Sequence, residues 1–339
     1  MASEPPRAIW ISWYEHRRTD GLCQAWDLQK FVLRTQKTGI RKWAALMFDT
    51  LRVIRKCRPD ILLVQNPSLG LAMLAVAVKP LFRFFLVIDA HNEGVQPYIR
   101  QGRFITWVTS WLLRSADRTI VTNSNLANVV EKQGGNAIVL PDALPEPPVT
   151  AFGEKSPVQG KCEFVIISTF APDEPLRELL GAARQFPDVA FFVTGRHSPD
   201  NLRELDVPGN VTLTGFLPDD DYWRRLATAD VIVDLTLMPD CLVCGAYEAL
   251  SLAKPMVLSD NQPGRQLFGE GVVFADVSED GILQAFRRAT EDLDALRSSA
   301  VSARHGFKTR WINQAATVWT SITGAAAARL QQSEGTTGV

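Results

Sequence analysis

The feature that most restricts what this chain can become is an alternation, met twice along its length, of short runs rich in Val, Ile and Phe with amphipathic stretches of helical length. A run too short for a helix yet apolar throughout suits a strand buried on both faces, and strands separated by helices build parallel sheets with crossover connections. In the first half, strands are expected near residues 8–13, 61–65, 84–89, 119–122 and 137–140, with helices over 41–56, 103–114 and 125–133. In the second half, strands are expected over 164–168, 190–194, 211–214, 231–235, 256–259 and 272–274, with helices over 175–185, 221–227, 246–252 and 280–291. Two more helical stretches, 293–303 and 310–330, precede a polar tail. Between the two alternations, Pro, Gly and polar residues break every periodicity, so the interdomain linker is placed at 146–160. The expected plan is two doubly wound, Rossmann-like domains, 1–145 and 161–308, facing a central cleft in which ligand binds, with a disordered tail at 331–339.

Composition sharpens this plan at one point. The net charge of −1 conceals an asymmetry: residues 1–150 hold 19 Lys+Arg against 12 Asp+Glu, whereas residues 151–339 hold 17 against 25. A basic half suits an anionic partner, either a membrane surface or a nucleic acid, and an acidic half suits solvent or a small ligand. Lys79, Arg83, Arg100, Arg103 and Arg114 stand among Phe and Trp residues, a mixture that fits a membrane interface. An anionic lipid surface is preferred, and nucleic acid set aside, because no nucleic-acid module is recognisable. Residues 104–113 also read as an amphipathic core helix, and both readings stay open here. The longest apolar run, 69–78, stops at Lys79 and Pro80, whereas a spanning helix needs about 20 apolar residues. Five scattered cysteines suit a reducing cytoplasm, so the expected place is the inner face of the plasma membrane, peripherally bound.

The segment DCLVCGAYEALSLAKPMVLSD carries an acidic residue, Asp240, then seven residues, then Glu248 opening a Glu-Ala-Leu helix, followed by Lys254-Pro255 and an apolar strand. It resembles the donor-site motif of GT-B glycosyltransferases, especially the large retaining family 4. FVIISTF, DVAFFVTG and NVTLTGFLPDDDYWRRLATADVIV stand upstream in that family's order. Three departures stand beside the match: Asp240 replaces the usual Glu, Cys241-Leu242-Val243-Cys244 replaces Gly-Phe-Gly, and residues 169–175 lack the Arg and Lys that the family sets against the diphosphate.

The resemblance implies a metal-independent hexosyltransferase, retaining rather than inverting, that moves a sugar from a nucleotide sugar, UDP favoured over GDP, to a lipid-linked or saccharide acceptor. It also implies that the helix after residue 309 crosses back to the first domain. A non-catalytic nucleotide-sugar-binding partner and a nucleotide-sugar epimerase are the rivals on the same fold. Physically, Gly245, Ala246 and Tyr247 open a helix whose N–H groups and dipole suit a diphosphate, and Glu248 suits the ribose hydroxyls. Asp240 is then expected at the transferred sugar, with Thr169, Gly195, Arg196 and Phe216 completing the donor pocket from neighbouring strand ends. In the first half, Asp89, His91 and Glu93 follow a strand, where doubly wound sheets place reactive groups. His91 matches the family's His near the sugar, and Asp89 or Glu93 suits a general base. Glu15, His16, Arg17 and Arg18 lie in the loop expected to meet phosphate or acceptor. The Cys241/Cys244 pair lacks the second pair of a zinc site and is read as packing rather than redox chemistry.

Overall fold

The computed structural model describes residues 6–66, 68–96, 102–152, 162–198 and 205–335. It divides into two compact units, Met1–Ala143 with Arg310–Val339, and Leu144–Thr309.

In the first unit the chain runs β1 (Ala8–Ser12), α1 (Arg17–Ala25), β2 (Gln29–Val32), α2 (Gly39–Cys57), β3 (Ile61–Asn66), α3 (Leu69–Phe82), β4 (Phe85–Ala90), α4 (Asn92–Val95), α5 (Arg103–Ser115), β5 (Arg118–Val121), α6 (Ser124–Lys132) and β6 (Ala137–Val139). The six strands are parallel in the order β2-β1-β3-β4-β5-β6. Every residue of β3 and β4 is buried, which is why both read as unbroken apolar runs up to a polar end. Ile9, Ile11, Val64 and Ile88 meet Leu71, Ala75, Leu112 and Val130 on one face. Because side chains alternate across a strand, Trp10, Leu63 and Val87 point to the other face, where they are buried too. The edge strand β2 was not expected from the sequence: QKFV is short, partly exposed and, among the described residues, paired only with β1, so no apolar run marks it.

The second unit runs β7 (Cys162–Ile166), α7 (Leu176–Ala183), β8 (Val189–Thr194), β9 (Val211–Gly215), α8 (Asp219–Thr228), β10 (Val231–Asp234), α9 (Cys244–Ser251), β11 (Met256–Ser259), α10 (Gln262–Leu267), β12 (Val272–Ala275) and α11 (Glu279–Glu291). Its sheet is again parallel, in the order β12-β11-β10-β7-β8-β9. Phe164, Phe191 and Phe286 anchor the core, with centroids 5.3 to 5.4 Å apart. In each sheet the strand order reverses once, between β1 and β3 and between β7 and β10, and the carboxyl ends at such a reversal form a natural ligand crevice.

One helix, α12 (Leu293–Gly335), replaces the two expected stretches and also takes in residues 331–335 of the expected tail. The helix continues through Gly306 because its buried stripe does: Ala303, Phe307, Trp311, Ala315, Val318, Ile322 and Ala326 recur every three or four residues. A glycine there costs about 1 kcal/mol against alanine, less than that burial returns. Within the first unit, Trp311 donates to the Pro141 carbonyl (2.8 Å), Trp26 donates to that of Ala315 (2.9 Å), and Trp26 stacks on Trp319. Of the expected linker, Val149–Ala151 forms a 3-10 turn with Ala151 buried, and residues 153–161 lie outside the described ones. Among the described residues no helix is long and apolar enough to cross a membrane.

Candidate functional site

In the first unit the strand ends at the reversal are polar. Register places Ser12, Gln65 and Asp89 side by side on β1, β3 and β4, and all three are buried. Ser12 donates to Gln65 Oε1 (3.0 Å). Asp89 Oδ1 accepts from Arg18 Nε (2.8 Å), while Arg18 also donates to Asp142 (2.5 Å) and to the Leu140 carbonyl (2.9 Å). Burial works against the Arg18 charge, but Asp89 and Asp142 more than offset it and raise its pKa. Arg18, expected to hold phosphate, is therefore an internal counter-ion, its side chain 1% exposed. The sequence could not show this, because a loop arginine reads as solvated until its partners are known.

His91 follows β4, its ring 4.6 Å from that of His16, and its Nε2 lies 3.7 Å from Asp89 Oδ2. Both atoms are buried without a hydrogen bond among the described residues, as are Gln65 Nε2 and Asn66 Oδ1. Burial lowers the His91 pKa, with Asp89 opposing and Arg18 assisting, so the ring favours its neutral form. Burial, helped by Asp89, pushes the nearby Tyr14 hydroxyl up to about 12. His16 instead caps α1 by accepting from the Arg18 N–H. Glu93 is half-buried in the first turn of α4. Arg17 is exposed, and Glu15 is exposed in an ion pair with Arg34 (2.8 Å). Asp89 and His91 thus come together, whereas Glu15 and Arg18 turn to protein partners. Gln65, Asn66 and Asp142 were missed; the first two were legible as a polar end to an apolar strand.

In the second unit the loop after β7 closes on itself. The Glu174 carboxylate accepts from Ser168 Oγ (2.5 Å), the Thr169 N–H (2.8 Å), Thr169 Oγ1 (2.7 Å) and the Phe170 N–H (3.0 Å). Phe170 adopts a left-handed φ of 57° to complete this nest. Thr169 and the backbone beside it, expected to meet the donor, are occupied by an acidic side chain of the same loop. Gly195, at φ 109°, must be glycine, since a Cβ would stand 1.9 Å from the Ser168 carbonyl oxygen. Arg196 is exposed and lies over the exposed Phe216 ring, 5.2 Å from its centroid.

At the start of α9, the Gly245 N–H donates to Asp234 Oδ2 (2.8 Å) and the Ala246 N–H to the Val243 carbonyl (3.3 Å). Both groups, expected to meet a diphosphate, are engaged within the protein, and the Tyr247 ring is buried against Phe268 and Phe307. Burial, with Glu248, Glu174 and Asp173 adding and the Gly245 N–H opposing, pushes the Asp234 carboxyl well above its ordinary range. Glu248 is buried one turn further on and accepts from the Tyr222 hydroxyl of α8 (2.5 Å). Asp240 is half-buried in the loop after β10. Asp234, Glu174 and Tyr222 were not picked out from the sequence; Asp234 carried the one readable signal, a carboxylate ending an apolar strand. Among the described residues, no group of three His, Cys, Asp or Glu side chains is placed to hold a metal ion.

No protein-family model matches the sequence, and no curated protein matches it. In structure the chain is similar to sucrose-phosphate synthase from Thermosynechococcus elongatus, at 13% identity and a TM-score of 0.73, covering 97% of this chain and 100% of that one. It is similar to HepE from Anabaena, solved with UDP and glucose, at 15% identity and a TM-score of 0.70 over 93% of this chain and 99% of that one. A protein described as a UDP-N-acetylglucosamine 2-epimerase from Listeria monocytogenes has 11% identity and a TM-score of 0.60, covering 91% of this chain and 94% of that one. With two parallel six-stranded sheets, each flanked by helices and each reversed once, the chain has the GT-B fold.

Proposed function

We propose that this protein is a glycosyltransferase that moves a sugar from a nucleotide diphosphate sugar, a UDP-sugar in preference to a GDP-sugar, to a lipid-linked or saccharide acceptor in polysaccharide or glycolipid synthesis. The observation that carries the reading is the buried Glu248 carboxylate, fixed by the Tyr222 hydroxyl in the helix after β10, at the strand reversal of the second sheet. A carboxylate so placed can take both ribose hydroxyls in charge-assisted hydrogen bonds. HepE, solved with UDP-glucose, shares the fold. A fold hosts many activities, so the residues must carry the rest. Asp240 is assigned to the transferred sugar, Arg196 to the diphosphate, and the backbone at Gly215 and Phe216 to the base. The leaving diphosphate is met by the α9 dipole and Arg196 rather than a metal, with Asp234 held toward its neutral form so that it subtracts less from that dipole.

In the first unit, Asp89 Oδ2 and the neutral His91 ring are assigned to the reacting sugar or acceptor hydroxyl, one accepting its proton and the other fixing its position. Retention of anomeric configuration is the outcome to test first. Two rival readings have their own support. The lack of Arg and Lys at residues 169–175 favours a nucleotide-sugar-binding protein without turnover, and the similarity to an epimerase favours conversion of the donor alone.

Calorimetric titration with UDP and GDP, followed by product analysis with and without acceptor, separates the three. Binding of UDP with acceptor-dependent sugar transfer supports the proposal. Binding without donor consumption supports the second reading, and acceptor-free formation of an isomeric UDP-sugar supports the third. Asp89→Asn and His91→Ala should lower kcat far more than donor affinity, because groups at the reacting centre chiefly stabilise the transition state.

A further inference from the structure

Helices α2, α3 and α5 pack side by side over one face of the first sheet and send Ile54, Leu71, Ala75 and Leu112 into a shared core. Their outer surface is unusually apolar for a face that meets solvent. On α2, Ile40 is 85% exposed and Phe48 66%, with Trp43 and Met47 also exposed. Leu81 of α3 is 76% exposed, and Phe104 and Trp107 of α5 are 70% and 59% exposed. At 100° per residue, Ile40, Met47 and Phe48 fall on one stripe of α2 beside its buried edge, with the exposed Arg55 among them, and Arg41, Arg52 and Lys56 fall on the adjoining arc. The helix therefore carries, besides its buried face, an exposed arc of mostly large apolar side chains that grades into a basic one.

The three helices carry eight Lys+Arg and one carboxylate, Asp49. Lys79 is drawn inward, its Nζ 2.9 Å from Asp117 and 2.8 Å from the Ser115 carbonyl, so it leaves the set expected to face lipid. Arg100, another of that set, lies outside the described residues. Among the described residues none of the remaining cations is held in an ion pair, and Asp49 is the one carboxylate the three helices themselves carry. Such a face disfavours a second copy of this chain, since a two-fold interface would set the same positive surface against itself. It matches an anionic bilayer, which takes apolar and aromatic side chains at headgroup depth and attracts the flanking cations.

We propose that the outer face of α2, α3 and α5 docks on an anionic lipid membrane, with Ile40, Phe48, Leu81, Phe104 and Trp107 entering the interface and Arg41, Arg52 and Lys56 at the headgroups. The inference stands apart from the donor reading and does not depend on it.

Flotation with vesicles of phosphatidylcholine alone, and of phosphatidylcholine with phosphatidylglycerol, tests it on the full chain. The protein should float with the anionic vesicles and not with the neutral ones. Raising salt toward 1 M, where the Debye length is about 3 Å, should release most of it. Ile40→Ser with Phe48→Ser, and separately Arg41→Gln with Arg52→Gln and Lys56→Gln, should each weaken vesicle binding by about tenfold. Val301→Ser with Ile312→Ser, at exposed apolar positions of α12, should change nothing. Far-UV circular dichroism and UDP titration of each variant keep misfolding separate from lost docking. Equal binding to both vesicles, binding to neither, or full binding by both sets of variants would overturn the proposal. So would a concentration-dependent dimer abolished by the same substitutions in a protein that ignores vesicles, since the occupant would then be a second copy. Vesicle binding without UDP binding would instead refute the donor reading and leave this one standing.

Discussion

Both units place carboxylates at or beyond the ends of parallel strands beside a strand reversal, but the first unit supplies a cation and the second supplies neutral donors. Asp89 faces the Arg18 guanidinium, which also binds Asp142, so the first turn of α1, the end of β4 and the segment after β6 are tied by one buried cation. Asp234 instead has the Gly245 N–H, Glu248 has the Tyr222 hydroxyl, and Glu174 has two N–H groups and two hydroxyls. A tethered cation fixes geometry and leaves Asp89 Oδ2 beside His91 in a rigid frame. Neutral donors leave the second unit with negative charge near the elements assigned to a diphosphate, so under the proposed function donor affinity would depend on how much of that charge is held neutral or turned away.

The largest expected effect tests the cation. Arg18→Met should destabilise the protein by about 3 to 5 kcal/mol in urea denaturation, the usual cost of leaving buried charge uncompensated. Adding Asp89→Asn should restore part of it, and a loss below about 1 kcal/mol would show that the pair is not what fixes these loops. Next is the second unit's own carboxylate: Glu248→Ala should weaken UDP binding by about 1.5 to 3 kcal/mol in calorimetry, the range for a charge-assisted hydrogen bond, without unfolding the chain. An unchanged dissociation constant would reduce Glu248 to a partner of Tyr222.

Glu174→Gln sharpens the contrast from the other side. Removing one negative charge from the β7 loop while keeping an acceptor oxygen should tighten UDP binding by roughly 1 kcal/mol, about fivefold. Weaker binding would mean that the closed loop itself is what the donor recognises.

The smallest effect is in the pH dependence, where the units should oppose each other. The native Asp234 pKa is raised, so the folded state holds its proton more tightly; that contribution to stability is full below about 3.8, the ordinary value, and is lost as pH rises through the native one. The native His91 pKa is lowered, so its contribution is full above 6.5 and is lost as pH falls toward the native value. Denaturation across a pH series should show Asp234→Asn removing the decline on the alkaline side and His91→Gln removing the one on the acid side. Identical profiles for both variants and the parent protein would erase the distinction.

Much of the architecture was readable because fully buried strands leave continuous apolar runs: all six strands of the second sheet and five of the first lie where the pattern puts them. The exceptions have local causes. β2 is a half-exposed edge, and the 331–335 segment is helical because α12 continues past its buried stripe. Among the candidate residues, the strand-end rule singled out Asp89 and His91, and the resemblance to the donor-site motif singled out Asp240 and Glu248. The same rule applied to polar strand ends would have added Gln65, Asn66 and Asp234.

By itself the sequence determined what depends on neighbours a few residues away: strand and helix periods, the breaks between them, and the glycine-led start of α9. Tertiary structure alone decided the destination of the long side chains. Arg18 finds Asp89 and Asp142 at separations of 71 and 124 residues, Lys79 turns onto Asp117, Tyr247 enters a ring cluster with Phe268 and Phe307, and α2 keeps an apolar stripe in solvent. Periodicity tells which face of an element is apolar, but the topology of the sheet sets which charge or ring stands opposite it, and in a buried place that partner decides whether a group is a ligand or a brace.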